Sequence, residues 1–310
     1  MGDYEVFQGI NKNMKKKYSL TVGIPTYYGG PGLVEAAKSV LASKKVEKFR
    51  FIVCVDGIPL DKKIEKHLKD LGVEVVFSKV RGGQVARIKQ IISLAKSDLL
   101  LLTQDDIRFE PDTLFKIIKT FETNPDVTMI GARVLPVPAR TFFEKIIEVG
   151  VSLTHRIGML WNDGDNYLMS SGRCLAFRTG FIKKFQIPEE VINSDAYLYF
   201  ENKKKGGIFK HLPDVAVYNK SPQNLKEHLK QSRKFQYSLE EISRYINFGL
   251  NKEYSVPASL KLRAYFEKFI KNPFWTLLYC FVFLYTRTQQ KNMYSKAKRF
   301  WETDKSTKKI

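Results

Sequence analysis

Four short apolar runs, each separated from the next by a stretch of helical spacing, constrain this chain more than any other feature. Tyr18-Ser-Leu-Thr-Val-Gly-Ile24 is stopped by Pro25, and Phe51-Ile-Val-Cys-Val55 closes at Asp56-Gly57. Val73-Glu-Val-Val-Phe77 and Asp98-Leu-Leu-Leu-Leu-Thr103 follow. Between them, Leu33 to Ser43, Asp61 to Leu71 and Gly83 to Ala95 carry apolar residues at helical spacing. Strands alternating with helices predict an α/β fold, with a mostly parallel sheet covered on both faces. The second and fourth runs are continuously apolar, as strands buried on both sides must be. Ligands of such sheets bind at the carboxyl ends of the strands. Those ends are Pro25-Thr-Tyr-Tyr-Gly-Gly30, Asp56-Gly57 and Gln104-Asp105-Asp106, so polar, glycine-rich and acidic groups gather on one edge.

Further along, Pro111 to about Phe121 reads as a helix, Val127 to Val134 as a strand ended by prolines, and Phe142 to Ile157 as an amphipathic helix. Residues 161–171 read as loop, and Cys174-Leu-Ala-Phe177 and Val215-Ala-Val-Tyr218 as short strands. The character changes after Pro257. Leu262, Tyr265, Phe266, Phe269 and Ile270 sit at helical spacing with basic residues opposite, and Pro273 to Thr286 carries no charge. That run is short of the ~20 apolar residues a membrane span needs. A basic amphipathic helix followed by an aromatic-rich run suits a segment lying in a membrane interface or entering one leaflet. From residue 260 onward twelve Lys and Arg face three acidic residues, a net +9, which suits an anionic cytoplasmic leaflet. The expected location is therefore the cytoplasmic face of the cell membrane, peripheral or with one short inserted segment. A soluble helical hairpin packed on the main domain is the plainer alternative.

The whole chain carries 52 basic and 32 acidic side chains, +20 over 310 residues. Such an excess points to an anionic partner: nucleic acid, a phosphate-bearing substrate or an acidic membrane surface. Cys54, Cys174 and Cys280 are far apart, odd in number and without CxxC spacing, so neither a disulfide framework nor a zinc site is expected. A reducing compartment fits. Residues 1–17 form a polar, basic segment without the apolar stretch of a secretory signal.

Asp105-Asp106 is the pair that promises chemistry. Adjacent carboxylates just past a buried strand are costly unless they meet a cation or hydrogen-bond donors. A hard divalent ion with oxygen ligands is the natural partner, and such ions commonly bridge to phosphate. The competing reading is a turn or helix cap.

Around that pair the sequence resembles a family. Val22-Gly-Ile-Pro-Thr-Tyr27, Val55-Asp-Gly57, Gly83-Gln-Val-Ala-Arg87 and Leu101-Leu-Thr-Gln-Asp-Asp-Ile107 stand in the order and spacing of the inverting family-2 glycosyltransferases of GT-A fold. Ser171-Gly-Arg-Cys-Leu-Ala-Phe-Arg178, Asn193-Ser-Asp195, Leu212-Pro-Asp-Val-Ala-Val-Tyr218 and Leu225 to Phe235 continue it. Each piece is weak alone, and their order is what is specific. The resemblance implies a GT-A domain over residues 18–240, preceded by the basic segment 1–17 and followed by a helical region 241–310.

It also implies roles. Pro25, Thr26 and Tyr27 would line a nucleotide pocket, Asp56 would hydrogen-bond the base, and Arg81 and Arg87 would lie near the nucleotide and diphosphate. Asp106, with Asp105, would hold Mn²⁺ or Mg²⁺ on the diphosphate of a sugar nucleotide. Asp195 resembles the base that takes the acceptor proton, and Ser171-Gly-Arg173 the loop that touches donor sugar and acceptor. Gln231-Ser-Arg-Lys-Phe235 resembles Gln-x-x-Arg-Trp, so that Gln231 and Lys234 would border the diphosphate and acceptor. The chain departs from the family where Thr103 or Gln104 replaces the first acid of Asp-x-Asp, where Ser194 precedes Asp195, and where Asn219 replaces a histidine after the last strand.

The function implied is transfer of a sugar from a nucleotide-diphosphate donor to a hydroxyl acceptor such as a lipid, a lipid-linked glycan or a polysaccharide. A binding module for sugar nucleotides that has lost catalysis is the second reading. A nucleic-acid binder, suggested by the charge alone, is the third, and no groove-reading or single-strand motif accompanies it. Gly82-Gly83 is not a phosphate loop, since no Gly-Lys-Ser/Thr follows at the required spacing.

Overall fold

A computed structural model of the chain describes residues 18–247 and 250–289, with residues 233, 234, 251 and 252 described by backbone alone. The basic segment 1–17 and the basic terminus 290–310 lie outside the described residues. The alternation read from the sequence is present: β1 (Leu20–Thr26), α1 (Pro31–Leu41), β2 (Arg50–Asp56), α2 (Lys62–Asp70), β3 (Glu74–Ser78), α3 (Gly83–Leu94) and β4 (Leu99–Thr103). After it come β5 (Ile107–Phe109), α4 (Thr113–Thr123), β6 (Val127–Pro136), α5 (Phe142–Leu160), β7 (Cys174–Arg178), α6 (Thr179–Ile182), α7 (Ser194–Lys204) and β8 (Ile208–Asn219). Four helices follow, α8 (Leu225–Ser243), α9 (Leu250–Tyr254), α10 (Ala258–Lys271) and α11 (Pro273–Thr288).

The eight strands form one sheet in the order β3-β2-β1-β4-β7-β6-β8-β5. β3, β2, β1 and β4 are parallel, so their carboxyl ends share an edge. β7 is antiparallel to both its neighbours, β6 and β8 are parallel, and β5 runs antiparallel to β8. β5, α6 and α9, three to five residues each, escape the sequence reading, and β8 begins seven residues before the expected Val215, with buried Phe209 and His211 alternating with exposed Ile208 and Lys210.

Alternate side chains of each strand point to opposite faces, and each face has its own core. Ile24, Val53, Val55, Leu99 and Leu101 pack with α1, α2 and α4. Ile52, Cys54, Leu100 and Leu102 pack with α3 and α7. Cys54 is core, as expected, and its burial pushes the thiol up to about 12. α7 is buried all round, Ala196 to Asn202 without interruption, so its charged members need partners inside the protein. α8 runs unbroken through residue 240, where a domain boundary was expected.

α5 is opened by a capping box between Thr141 and Glu144. Its Val149 and Leu153 carry a separate small core with Ala264, Tyr265, Trp275 and Tyr279 of the α10–α11 hairpin. Among the described residues no helix is long and apolar enough to cross a membrane.

Candidate active site

The edge where β1, β2 and β4 end brings together most of the residues singled out in the sequence. Asp56, the last residue of β2, is fully buried. Its Oδ1 accepts from the Gly82 amide at 2.8 Å and its Oδ2 from the Gly83 amide at 3.0 Å. These are the first amides of α3, where a helix start favours negative charge. Arg87, one turn later, places Nε 3.3 Å from the same carboxylate and donates from Nη1 to Gln90 at 2.6 Å. Asp56 thus fastens the start of α3 to the end of β2. Oδ1 faces both Gly82 and Arg87, and Oδ2, which accepts from Gly83, keeps a second acceptor direction.

Gly57, beside it, has φ 73°, and a Cβ there would meet the Arg81 side chain at 3.0 Å. The Arg81 guanidinium lies over the Tyr27 ring at 4.0 Å from the centroid. Tyr27 and Arg81 therefore form a flat cationic shelf just outside Pro25 and Thr26, which are buried. A planar, electron-poor surface of this kind suits a base or a phosphate.

The acidic pair is knitted to the same edge. Thr26 Oγ1 donates to Asp105 Oδ2 at 2.6 Å and accepts from the Gly29 amide at 3.1 Å. Asp105 is buried and Asp106 half-buried. Asp106 immediately precedes β5, and the β5–β8 register sets Ile107 opposite Asn219. β8 therefore delivers Asn219 to the neighbourhood of Asp106.

Thr103, which with Gln104 is one of two residues that the resemblance sets at the position of the first acid, has another use. Its Oγ1 donates to the Arg173 carbonyl at 2.7 Å. That bond ties the Ser171-Gly172-Arg173 loop to the end of β4. Gly172 lies against Asp195 so closely that a Cβ would overlap the carboxylate, with Cγ at 2.7 Å. Asp195 stands in the first turn of α7, 9% exposed. Ser194 Oγ donates to its Oδ1 at 3.1 Å, and Ser170 Oγ to its backbone carbonyl at 3.3 Å. Through Thr103, Arg173 and Gly172 the candidate base is thus linked to the acidic-pair strand.

The segment leading into Asp195 is held from α8. Glu241 is buried and accepts from the Ile192 amide at 2.5 Å and the Asn193 amide at 2.9 Å. Asn193 Nδ2 donates to Ser238 Oγ at 2.7 Å, and Ser238 shares a 2.7 Å hydrogen bond with Tyr254. Gln231 is half-buried on α8, two turns before Ser238, and no described hydrogen bond joins it to the cluster. Lys234 lies on the same helix, with its side chain outside the described residues. Glu241 and Ser238 were not marked in the sequence, because they act on residues 45 and 49 positions away.

Among the described residues no group of three or more His, Cys, Asp and Glu could hold a metal by itself. Two adjacent carboxylates are nonetheless the donor set of an ion that completes its coordination with substrate phosphates and water, as Mg²⁺ does. The residues present fit a substrate-completed ion, and a fully protein-ligated one would not fit.

A family model described as glycosyl transferase family 2 matches residues 21–185. A search of curated proteins finds no match. Among solved structures, the chain is similar to the mannosyltransferase PcManGT from Pyrobaculum calidifontis in complex with GDP-Man and Mn²⁺. Identity is 14% and the TM-score 0.58, covering 88% of this chain and 76% of that one. TarS residues 1–349 from S. aureus, in complex with UDP-GlcNAc, align at 15% identity and TM-score 0.53, covering 89% of each chain. Glucosyl-3-phosphoglycerate synthase from Mycobacterium tuberculosis, in complex with phosphoglyceric acid, aligns at 13% identity and TM-score 0.52, covering 73% and 80%. At these identities the likeness shows the fold.

Proposed function

Because this chain belongs to glycosyl transferase family 2 and has the α/β GT-A fold, we propose that it moves a sugar from a nucleotide-diphosphate donor to a hydroxyl acceptor with inversion. The observation that carries this reading is the link from Thr103 through the Arg173 carbonyl and Gly172 to the Asp195 carboxylate. It sets a carboxylate beside a loop anchored on the strand that bears Asp105-Asp106.

Asp195 takes the proton of the acceptor hydroxyl as that oxygen bonds to the anomeric carbon. The bond from the anomeric carbon to the diphosphate oxygen breaks on the opposite face, and the nucleoside diphosphate departs. Tyr27 and Arg81 receive the base or the adjoining phosphate on their shelf. Pro25, Thr26 and Asp56 bound the nucleotide pocket, and Arg87 keeps Asp56 in place. Gln231 and Lys234 border the acceptor side. Asp106 and Asp105 would hold a divalent ion, Mn²⁺ or Mg²⁺, whose charge offsets that of the leaving diphosphate. The GDP-Man and Mn²⁺ bound to PcManGT, and the UDP-GlcNAc bound to TarS, support this donor class.

A second reading, a sugar-nucleotide-binding module without catalysis, is favoured by one observation. Asp56 and Asp105 both accept hydrogen bonds from their own chain. UDP-, GDP- and dTDP-sugars are to be screened for release of nucleoside diphosphate with Mn²⁺ or Mg²⁺, beside Asp106→Ala and Asp195→Ala. Transfer is expected with at least one donor and a drop of about 10²–10⁴-fold in Asp195→Ala. Donor binding without release under any condition would establish the module, and full activity in both variants would falsify the site.

A further inference from the structure

The α10–α11 hairpin has two apolar faces, and among the described residues only one of them is covered. Its inner face packs on α5 through Ala264, Tyr265, Trp275 and Tyr279. Gly150 of α5 leaves the space that the Tyr279 ring occupies, since any Cβ there would overlap it. On the outer face of α10, Leu262, Phe266 and Ile270 recur every four residues and are 65–72% exposed. On α11, Phe274, Leu277, Phe281 and Leu284 recur every three or four and are 50–69% exposed. A helix lying on a soluble domain normally turns polar residues outward. Large apolar residues massed in water mark an interaction surface.

Charge selects the occupant. Glu267 is the one carboxylate between residues 258 and 288. Both its oxygens are held by Arg156 at 2.6 and 2.9 Å, and Arg263 adds a third bond at 3.0 Å. Lys261, Lys268, Lys271 and Arg287 have no acidic counterpart on the hairpin, and the sequence beyond it adds seven basic residues against two acidic ones. Two copies of such a surface would bring like charges together. An anionic bilayer offers acyl chains for the stripes and lipid phosphates for the cations. Among the described residues no helix is long enough to span: the 16 residues of α11 rise about 24 Å, short of the ~30 Å hydrocarbon core.

We propose that the α10–α11 hairpin is a membrane-docking element that lies in the headgroup interface of an anionic bilayer, its two outer stripes among the acyl chains. Docking itself does not rest on the transferase reading.

The full chain is to be floated with vesicles of phosphatidylcholine alone and with phosphatidylglycerol added, at low and high salt. Recovery with the anionic vesicles is expected, weakened by salt. The double variant Leu277→Asp/Phe281→Asp should lose about tenfold or more in partitioning, with its circular dichroism and donor binding unchanged. Lys271→Glu, which leaves the apolar stripes whole, should weaken binding to anionic vesicles only. Wild-type protein that stays unbound at every composition overturns the proposal. So does a dimer in sedimentation that the double variant converts to monomer, since a second copy would then cover the face. Vesicle binding is read without turnover, so its failure is distinct from a failure to transfer sugar.

Discussion

Gly172 and the Asp195 carboxylate are in contact, with no space for a methyl group between them. The Gly172→Ala variant must therefore displace the carboxylate or the loop. Misplacement of a base by about 1 Å costs on the order of 10²-fold. We expect kcat to fall about 100-fold while donor KM changes by less than about threefold, because the Tyr27–Arg81 shelf is untouched. Steady-state kinetics beside Asp195→Asn measure the split. An unchanged kcat would remove Asp195 from the reaction.

Asp56 and Arg81 lie at one strand end and should respond in opposite ways. Asp56 is buried against two amides and Arg87, so Asp56→Ala leaves the Gly82 and Gly83 amides unsatisfied and strips the half-buried Arg87 guanidinium of its carboxylate. A loss of about 3–5 kcal/mol in urea unfolding is expected. Arg81 is exposed over Tyr27. Arg81→Ala should change stability by under about 1 kcal/mol and raise donor KM about tenfold, since one cationic contact to an anionic ligand is removed. A stable Asp56→Ala protein with weak donor binding would make Asp56 a ligand contact and not a fastener.

Much of this was legible in the sequence because period and punctuation are local. Leu99 to Thr103, apolar throughout and closed by Gln104-Asp105-Asp106, announces a central strand and the polar edge beyond it. Pro25, Thr26, Asp56, Asp105 and Asp106 were then placed together by the rule for parallel sheets, and they do lie at one edge. What pattern cannot show is pairing over distance. β5 is too short for a period, and only its bonds to β8 make it a strand. Thr103, like Gln104, reads as a place where an acid is missing, whereas its hydroxyl anchors a loop 70 residues away. Glu241 carries no mark in the sequence, because nothing near it names the amides it caps.

Buried His211 and half-buried His155 beside it set an acid limit. His155 and His211 lie with ring centroids 5.5 Å apart. Burial and then the Arg133 and Arg156 charges hold His155 down at about 4. Burial, His155 and Arg133 hold His211 at about 4 as well. An unfolded histidine titrates near 6.5, so below that pH the unfolded chain binds protons that the folded chain refuses. Stability is complete above about pH 6.5 and falls as the pH drops toward 4. One such histidine accounts for about 2 kcal/mol by pH 5. Urea unfolding at pH 7 and pH 5 measures the fall, and His211→Leu should flatten it. An equal slope in that variant would place the loss elsewhere.

Glu241 offers the sharpest separation of positioning from chemistry. It touches neither Asp195 nor the strand-end acids in the network above, yet it holds the Ile192 and Asn193 amides that lead into Asp195. Glu241→Gln keeps the volume but offers one acceptor oxygen where two amides need partners, and sets its NH₂ against the second N–H. One buried amide is then unsatisfied, a loss of about 1–3 kcal/mol. The segment 192–193 should loosen before the domain unfolds, since Ser238 still holds the Asn193 side chain at 2.7 Å. We expect amide exchange to rise at residues 192–195 ahead of global unfolding, and kcat to fall about tenfold with donor KM nearly constant. Glu241→Asp, too short to span both amides, should behave like the glutamine variant if positioning is the cause. If Glu241 were itself the proton acceptor, the two variants would part, with Glu241→Asp keeping the pH profile of the wild type and Glu241→Gln losing its acid limb.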